Sequence, residues 1–145
     1  MSEQSDALEA QQAQRAAAKS ETVKRATMEA MRAKKPRQVE FSMQLAGAGE
    51  QVSFLFVSIG SKKYDDLVTK CPPTAEQMAR GAAFDIDKFG PELLSRVCQE
   101  PAFTLDEWRE LWNSPAYDTG EIGSLFARAQ ALCVTPVDLT PIVAG

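Results

Sequence analysis

Carboxylates at short spacing are the first residues in this chain that could do chemistry. Asp65-Asp66 and Asp85-x-Asp87 each bring two acids close enough to share a hard cation. Neither pair has a third and fourth oxygen ligand at loop spacing, and Asp87 is expected to cap a helix, so no metal site is assigned. Glu107, Glu110 and Glu121 fall near helix starts or on solvent faces, where negative charge favours the helix dipole. Paired-carboxylate catalysis would need a buried pocket around them that nothing in the sequence suggests. The chain has no histidine, which removes the commonest general base, the commonest zinc ligand and any Ser-His or Cys-His nucleophile. Cys71, Cys98 and Cys133 are odd in number, far apart and lack C-x-x-C spacing. They imply neither a disulfide framework nor a metal site, and a reducing compartment is expected. Cys98 and Cys133 fall on the apolar faces of expected helices and read as small core residues. Gly47-x-Gly49 is too short for a phosphate loop and lacks the Lys-Ser/Thr that would complete one. No catalytic residue, metal ligand or cofactor-binding residue is assigned, and the chain is expected not to be an enzyme.

A length of 145 residues with 44% hydrophobic content allows one domain with a modest core. The acidic N-terminus has no apolar segment of signal-peptide type, and no apolar run approaches the roughly 20 residues needed to span a bilayer. A soluble intracellular protein without membrane contact is expected. The net charge of -4 conceals an asymmetry: residues 1–37 hold eight Lys/Arg against five Asp/Glu, and residues 38–145 hold eight against fifteen. The basic excess gathers at Arg32, Lys34, Lys35 and Arg37. This cluster is a candidate electrostatic contact, read first as a solvated linker and second as a contact for an acidic protein surface. Nucleic acid ranks last, because no aromatic residue interleaves the cluster and the body of the chain is acidic.

These residues need elements to position them. Residues 2–35 are rich in Ala, Gln, Glu, Lys and Arg, yet their large apolar residues, Leu8, Val23, Met28 and Met31, are too sparse for a seam. A flexible or conditionally helical arm over residues 1–37, broken at Pro36, is expected. Val39, Phe41, Met43 and Leu45 alternate with polar residues as in a half-buried strand. A turn over Gly47-Ala48-Gly49-Glu50 leads to a second strand, Val52 to Ile59, with Phe54 and Phe56 on one face and Leu55, Val57 and Ile59 on the other. The pair reads as a β-hairpin whose second strand needs cover on both faces. From Ser61 onward the pattern is helical. Tyr64, Leu67 and Val68 share a face in a short helix stopped by Cys71-Pro72-Pro73, and Thr74-x-x-Gln77 starts a further turn. Phe89, Leu93, Leu94, Val97 and Cys98 line one side of a helix over Asp87–Cys98, with Pro91 expected in its first turn. Thr104-x-x-Glu107 and Asp118-x-x-Glu121 are capping boxes, with Phe103 available to Trp108 and Tyr117 to Ile122 as hydrophobic staples. The two helices they open carry Leu105, Trp108, Leu111 and Trp112, and then Ile122, Leu125, Phe126, Ala129, Leu132 and Cys133. Joined by Asn113-Ser114-Pro115, they are expected to pack as neighbours. Residues 134–145 hold two prolines and no periodicity, and read as a loose tail.

The architecture expected is therefore α+β, mostly α: an arm, a β-hairpin and a small bundle of four to five helices within residues 38–133. Its candidate partner-binding residues are Phe54, Phe56, Trp108, Leu111 and Trp112. Trp108 and Trp112 could form an aromatic platform; the rival reading, that they fill the core, is favoured for Trp108, which has a stapling role, and is balanced for Trp112.

The order of motifs resembles one family. After the strand pair come Lys63-Tyr64-Asp65-Asp66-Leu67-Val68, Pro72-Pro73-Thr74 and Asp87-Lys88-Phe89-Gly90-Pro91-Glu92-Leu93-Leu94. Leu105-Asp106-Glu107-Trp108-Arg109-Glu110-Leu111-Trp112 and Gly120-Glu121-Ile122-Gly123-Ser124-Leu125-Phe126-Ala127-Arg128-Ala129 complete the series. This order is similar to that of the tail assembly chaperones of long-tailed, siphovirus-type actinobacteriophages. Each motif alone is an ordinary helix signature; the resemblance lies in their order and spacing and covers everything after the arm. It implies a protein without catalysis that binds the phage tape measure protein and keeps it soluble during tail morphogenesis. It also implies self-association, a place in the host bacterial cytoplasm during infection, and absence from the mature virion. Many members have a frameshifted longer form, and this chain resembles the shorter product. Two other readings are a virion structural protein, such as a head–tail connector or minor tail component, and a DNA-associated regulator using the Arg32–Arg37 cluster.

Overall fold

The computed structural model describes residues 23–45 and 49–142. Contacts divide the chain into two units between Lys35 and Pro36. In the first, a six-residue helix α1 (Met28–Ala33) begins at Thr27, whose hydroxyl accepts a hydrogen bond from the Ala30 N–H at 3.1 Å. None of its residues is buried. The rest of the helical arm expected from residue 2 lies outside the described residues up to residue 22, and Val23–Thr27 has no regular structure.

The second unit is α+β, mostly α. Strands β1 (Gln38–Leu45) and β2 (Glu50–Val57) form the expected antiparallel hairpin, pairing Val39 with Phe56, Phe41 with Phe54 and Met43 with Val52. Residues 46–48 of the expected turn lie outside the described residues; Gly49 takes a φ of 68°, which its missing Cβ permits. Five helices follow: α2 (Ser61–Lys70), α3 (Ala75–Ala79), α4 (Ile86–Val97), α5 (Leu105–Asn113) and α6 (Thr119–Val134). The boxes at Thr74/Gln77 and Thr104/Glu107 close in both directions, and the Asp118 N–H donates to Glu121 Oε1 at 3.1 Å. Orphan donors at three helix starts are thereby satisfied by the residues that announced them.

The structure corrects the sequence reading in four places. Cys98 does not continue the preceding helix. Its backbone is extended, and Cys98–Glu100 forms strand β3 on the far side of β2, making a three-stranded sheet in the order β1-β2-β3. Pro101 accounts for part of this, because it biases Glu100 away from helical geometry. The cap of α4 is Asp85, not Asp87: Asp85 Oδ1 accepts from the Asp87 N–H at 3.2 Å and from Gln77 Nε2 at 3.0 Å. Because α4 consequently starts at Ile86, Pro91 lies in its second turn rather than its first, and the Asp87 carbonyl lacks the backbone donor a helix would normally supply. Finally, α5 and α6 pack chiefly on α4 rather than on each other.

The core lies between one face of the sheet and α4, α5 and α6. Phe56, Phe89, Leu93, Leu94, Val97, Trp108 and Ala129 are fully buried in it. Phe89 is its aromatic centre, with ring centroids at 4.4 Å from Phe84, 5.6 Å from Tyr64 and 5.7 Å from Phe126. On the sheet, the Phe41, Phe54 and Phe56 rings form a second cluster, and Arg128 of α6 lies 5.0 Å above the Phe41 ring.

Candidate functional site

Strand alternation puts Met43 and Leu45 on the same face of the hairpin as Val52 and Phe54. The Phe103 staple, 5.4 Å from Trp108 between ring centroids, sets the angle at which the chain enters α5. Tyr117 enters α6 similarly, ahead of Ile122 and Leu125 on its inward stripe. These three constructions meet around a cavity of about 470 Å³. Its walls are Met43, Leu45, Val52, Ser53 and Phe54 from the hairpin, Glu100, Pro101 and Phe103 beyond it, Trp108 and Leu111 from α5, Tyr117, and Ile122 and Leu125 from α6. The volume falls within the roughly 300–1,000 Å³ of ordinary ligand pockets. Only Ser53, Glu100 and Tyr117 bring oxygen-bearing side chains to it, so the space suits apolar groups. Met43, Leu45, Val52, Phe103, Leu111 and Tyr117 are only half-buried, which leaves the apolar lining partly open to solvent. Met43 adds a flexible, polarisable wall able to adapt to differently shaped guests.

The five candidate partner residues separate sharply. Phe54, Trp108 and Leu111 line this cavity; Phe56 and Trp112 do not. Phe56 and Trp108 have no exposed surface at all, which corrects their reading as part of an exposed binding face. Trp108 contributes as a wall, and among the described residues its indole Nε1 is closed to solvent without a hydrogen-bond partner. Trp112 is half-buried one turn further along the same face of α5, with Nε1 3.4 Å from Asp87 Oδ1 and its ring 6.1 Å from that of Phe126. A platform made from both tryptophans does not form: one closes the core above the cavity, and the other seals α4 against α5. Within the basic cluster, Arg32, Lys34 and Lys35 are exposed. Arg37 is engaged, donating from Nη1 to the Thr135 carbonyl at 2.9 Å, so it tethers the end of α6 to the start of β1.

Sequence reasoning missed Glu92. It is a buried carboxylate facing Lys70 of α2 at 3.4 Å, Arg96 at 3.7 Å and Arg109 of α5 at 3.9 Å. The signal was present, because Glu92 stands three residues after Phe89 within the apolar stripe of α4. A carboxylate in such a stripe needs a partner, and here three cations supply it from three helices. The half-buried cavity residues of β1 were also missed as site residues, since strand alternation marks an inward face without showing how completely it is covered.

The thiols are set for packing. Burial pushes the Cys98 thiol up to about 11, and it donates to the Pro101 carbonyl at 3.1 Å. Burial, followed by the nearby Glu92 carboxylate, also raises Cys71. Both are protonated and weakly nucleophilic at neutral pH. Among the described residues, no group of three Asp, Glu or Cys side chains is placed to hold a metal ion, and no helix is long and apolar enough to cross a membrane. Comparison with protein-family models, with curated proteins and with solved structures finds no match.

Proposed function

We propose that this chain is a tail assembly chaperone of the long-tailed actinobacteriophage type, which holds apolar segments of the tape measure protein and keeps that client soluble in the host cytoplasm. The order of strand pair and helix motifs supports the family reading. The observation that carries the binding reading is the partly open apolar cavity between the hairpin and the starts of α5 and α6. A site of this kind selects hydrophobicity and rough size rather than sequence. It can therefore engage many points along a long helical client, with strength coming from many copies rather than from one tight contact.

Co-expression with the tape measure protein tests this directly. Wild-type chain should keep the client in the soluble fraction and elute with it. Met43→Glu, which puts a charge at the half-buried cavity wall, should release the client to the pellet while the chain's own circular dichroism and melting remain close to wild type. An insoluble client with wild-type chain, or equal rescue by the variant, overturns the assignment. The unpaired edge of β1 favours one other reading, a virion structural protein held by permanent sheet contacts. Mass spectrometry of purified particles separates the two, since a chaperone should be missing and a component stoichiometric.

A further inference from the structure

Strand β1 is an eight-residue edge. The Ser58 N–H donates to the Arg37 carbonyl, so the odd-numbered residues of β1 direct their backbone groups at β2. The N–H and C=O groups of Gln38, Glu40, Ser42 and Gln44 therefore point away from the hairpin. Alongside them, Val39, Phe41, Met43 and Leu45 form an apolar row that is only half-buried. The residues after α6 have complementary character. Val137, Leu139 and Ile142 are 68%, 89% and 77% exposed, and Val137-Asp138-Leu139-Thr140 alternates apolar with polar residues as an edge strand does. Pro141 fits one register, and Pro136 stands at the strand's first residue, where a missing N–H is tolerated. If Asp138, Thr140 and Ile142 bond to a neighbouring strand, the N–H that Pro141 lacks is one that would face away from it. In that register Val137 and Leu139 fall on one face.

We infer that residues 136–142 of one copy add as a fourth strand to the open edge of β1 in a second copy, with Val137 and Leu139 extending the Val39–Phe41–Met43 row. Within a single chain these residues pair with no strand and leave their apolar side chains in solvent. The occupant is a neighbouring copy: Arg37 holds Thr135 beside the start of its own β1, yet the residues that follow pair with no strand there. Main-chain hydrogen bonds supply adhesion, and the alternate apolar side chains supply register. A donated segment leaves the donor's own β1 free, so the contact can repeat from copy to copy and build a ring or filament. This goes beyond the client-binding proposal; Met43 and Leu45 belong both to the row and to the cavity wall, so the variants that test assembly avoid them.

The test is light scattering on the full chain at tens of micromolar, compared with three variants. The full chain should give several times the monomer mass. Leu139→Asp should reduce it to monomer, as should Ser42→Pro, which removes an N–H from the open edge. Val39→Glu charges the apolar row outside the cavity lining and should do the same without altering the edge backbone. A peptide of residues 134–145 should dissociate the wild-type assembly and protect the Glu40 and Ser42 amides from exchange. A monomeric full chain, or an assembly that survives Leu139→Asp, overturns the inference. So does protection of those amides that is independent of protein concentration, because it would place the segment on its own β1. Client solubilisation is scored separately, so loss of assembly and loss of cavity binding are distinguishable.

Discussion

Gly90 is retained inside a helix because of what lies opposite it. A Cβ built there would overlap the six-membered ring of Trp112, which also meets the Phe126 ring in an edge-type contact. Gly90→Ala should therefore cost about 1–3 kcal/mol through overpacking, offset by about 1 kcal/mol of helix propensity. Urea unfolding should show a net loss, and the double variant with Trp112→Leu should recover part of it; a stabilised single variant would contradict the packing. Cys98 gives a prediction in pH. An unfolded thiol ionises near its ordinary value of 9.0, whereas burial holds the folded one to about 11. Above pH 9 the unfolded state releases this proton first, so stability present below pH 9 is lost as pH rises towards 11. Cys98→Ala should flatten that part of the stability profile relative to wild type, and an unchanged slope would count against the buried, protonated thiol.

At the scale of elements, the capping residues control more than helix ends. Thr104 Oγ1 accepts from the Glu107 N–H at 3.2 Å and Glu107 Oε1 accepts from the Thr104 N–H at 2.9 Å, directly after Phe103 enters the cavity wall. Thr104→Ala should cost about 1 kcal/mol. Because it also frees the staple, near-ultraviolet circular dichroism from Trp108 should change more than helix content does; a uniform loss of both would indicate a simple capping effect. These boxes were legible in the sequence because their interactions span only three residues. Strand β3 was not. Three residues cannot declare a strand by periodicity, and Cys98–Glu100 becomes one only because β2 has an unpaired side within reach. Pro91 was placed one turn too early for a related reason. The choice of cap between Asp85 and Asp87 rests on Gln77, eight residues upstream and in another helix, which donates to Asp85.

At the scale of the whole molecule, the cavity belongs to no one element. Hairpin, β3, α5 and α6 each contribute an ordinary apolar face, and the faces do not fill the space between them. Incomplete filling forfeits dispersion contacts along the lining, and a guest supplying apolar atoms would restore them. This is why Met43→Glu is expected to affect client retention more than folding: its side chain already lies where a guest, rather than the core, would meet it. Glu92 acts at the same scale, holding Lys70, Arg96 and Arg109 toward one buried carboxylate and so registering α2, α4 and α5 against each other.

By itself the sequence determined what local physics can determine: the hairpin from its alternation, the helices from their stripes and caps, and the class as α+β with helices predominating. The lack of histidine and the wide spacing of the three cysteines are likewise properties of the sequence alone. Only the tertiary structure decided that Trp108 is a wall and Trp112 a seal, that Arg37 is a tether, and that Glu92 is a three-helix anchor. Stripe positions one turn apart on a helix look alike in sequence, and their fates depend on which distant residues arrive against them. The cavity and the open β1 edge are features of that same kind, defined by where packing stops.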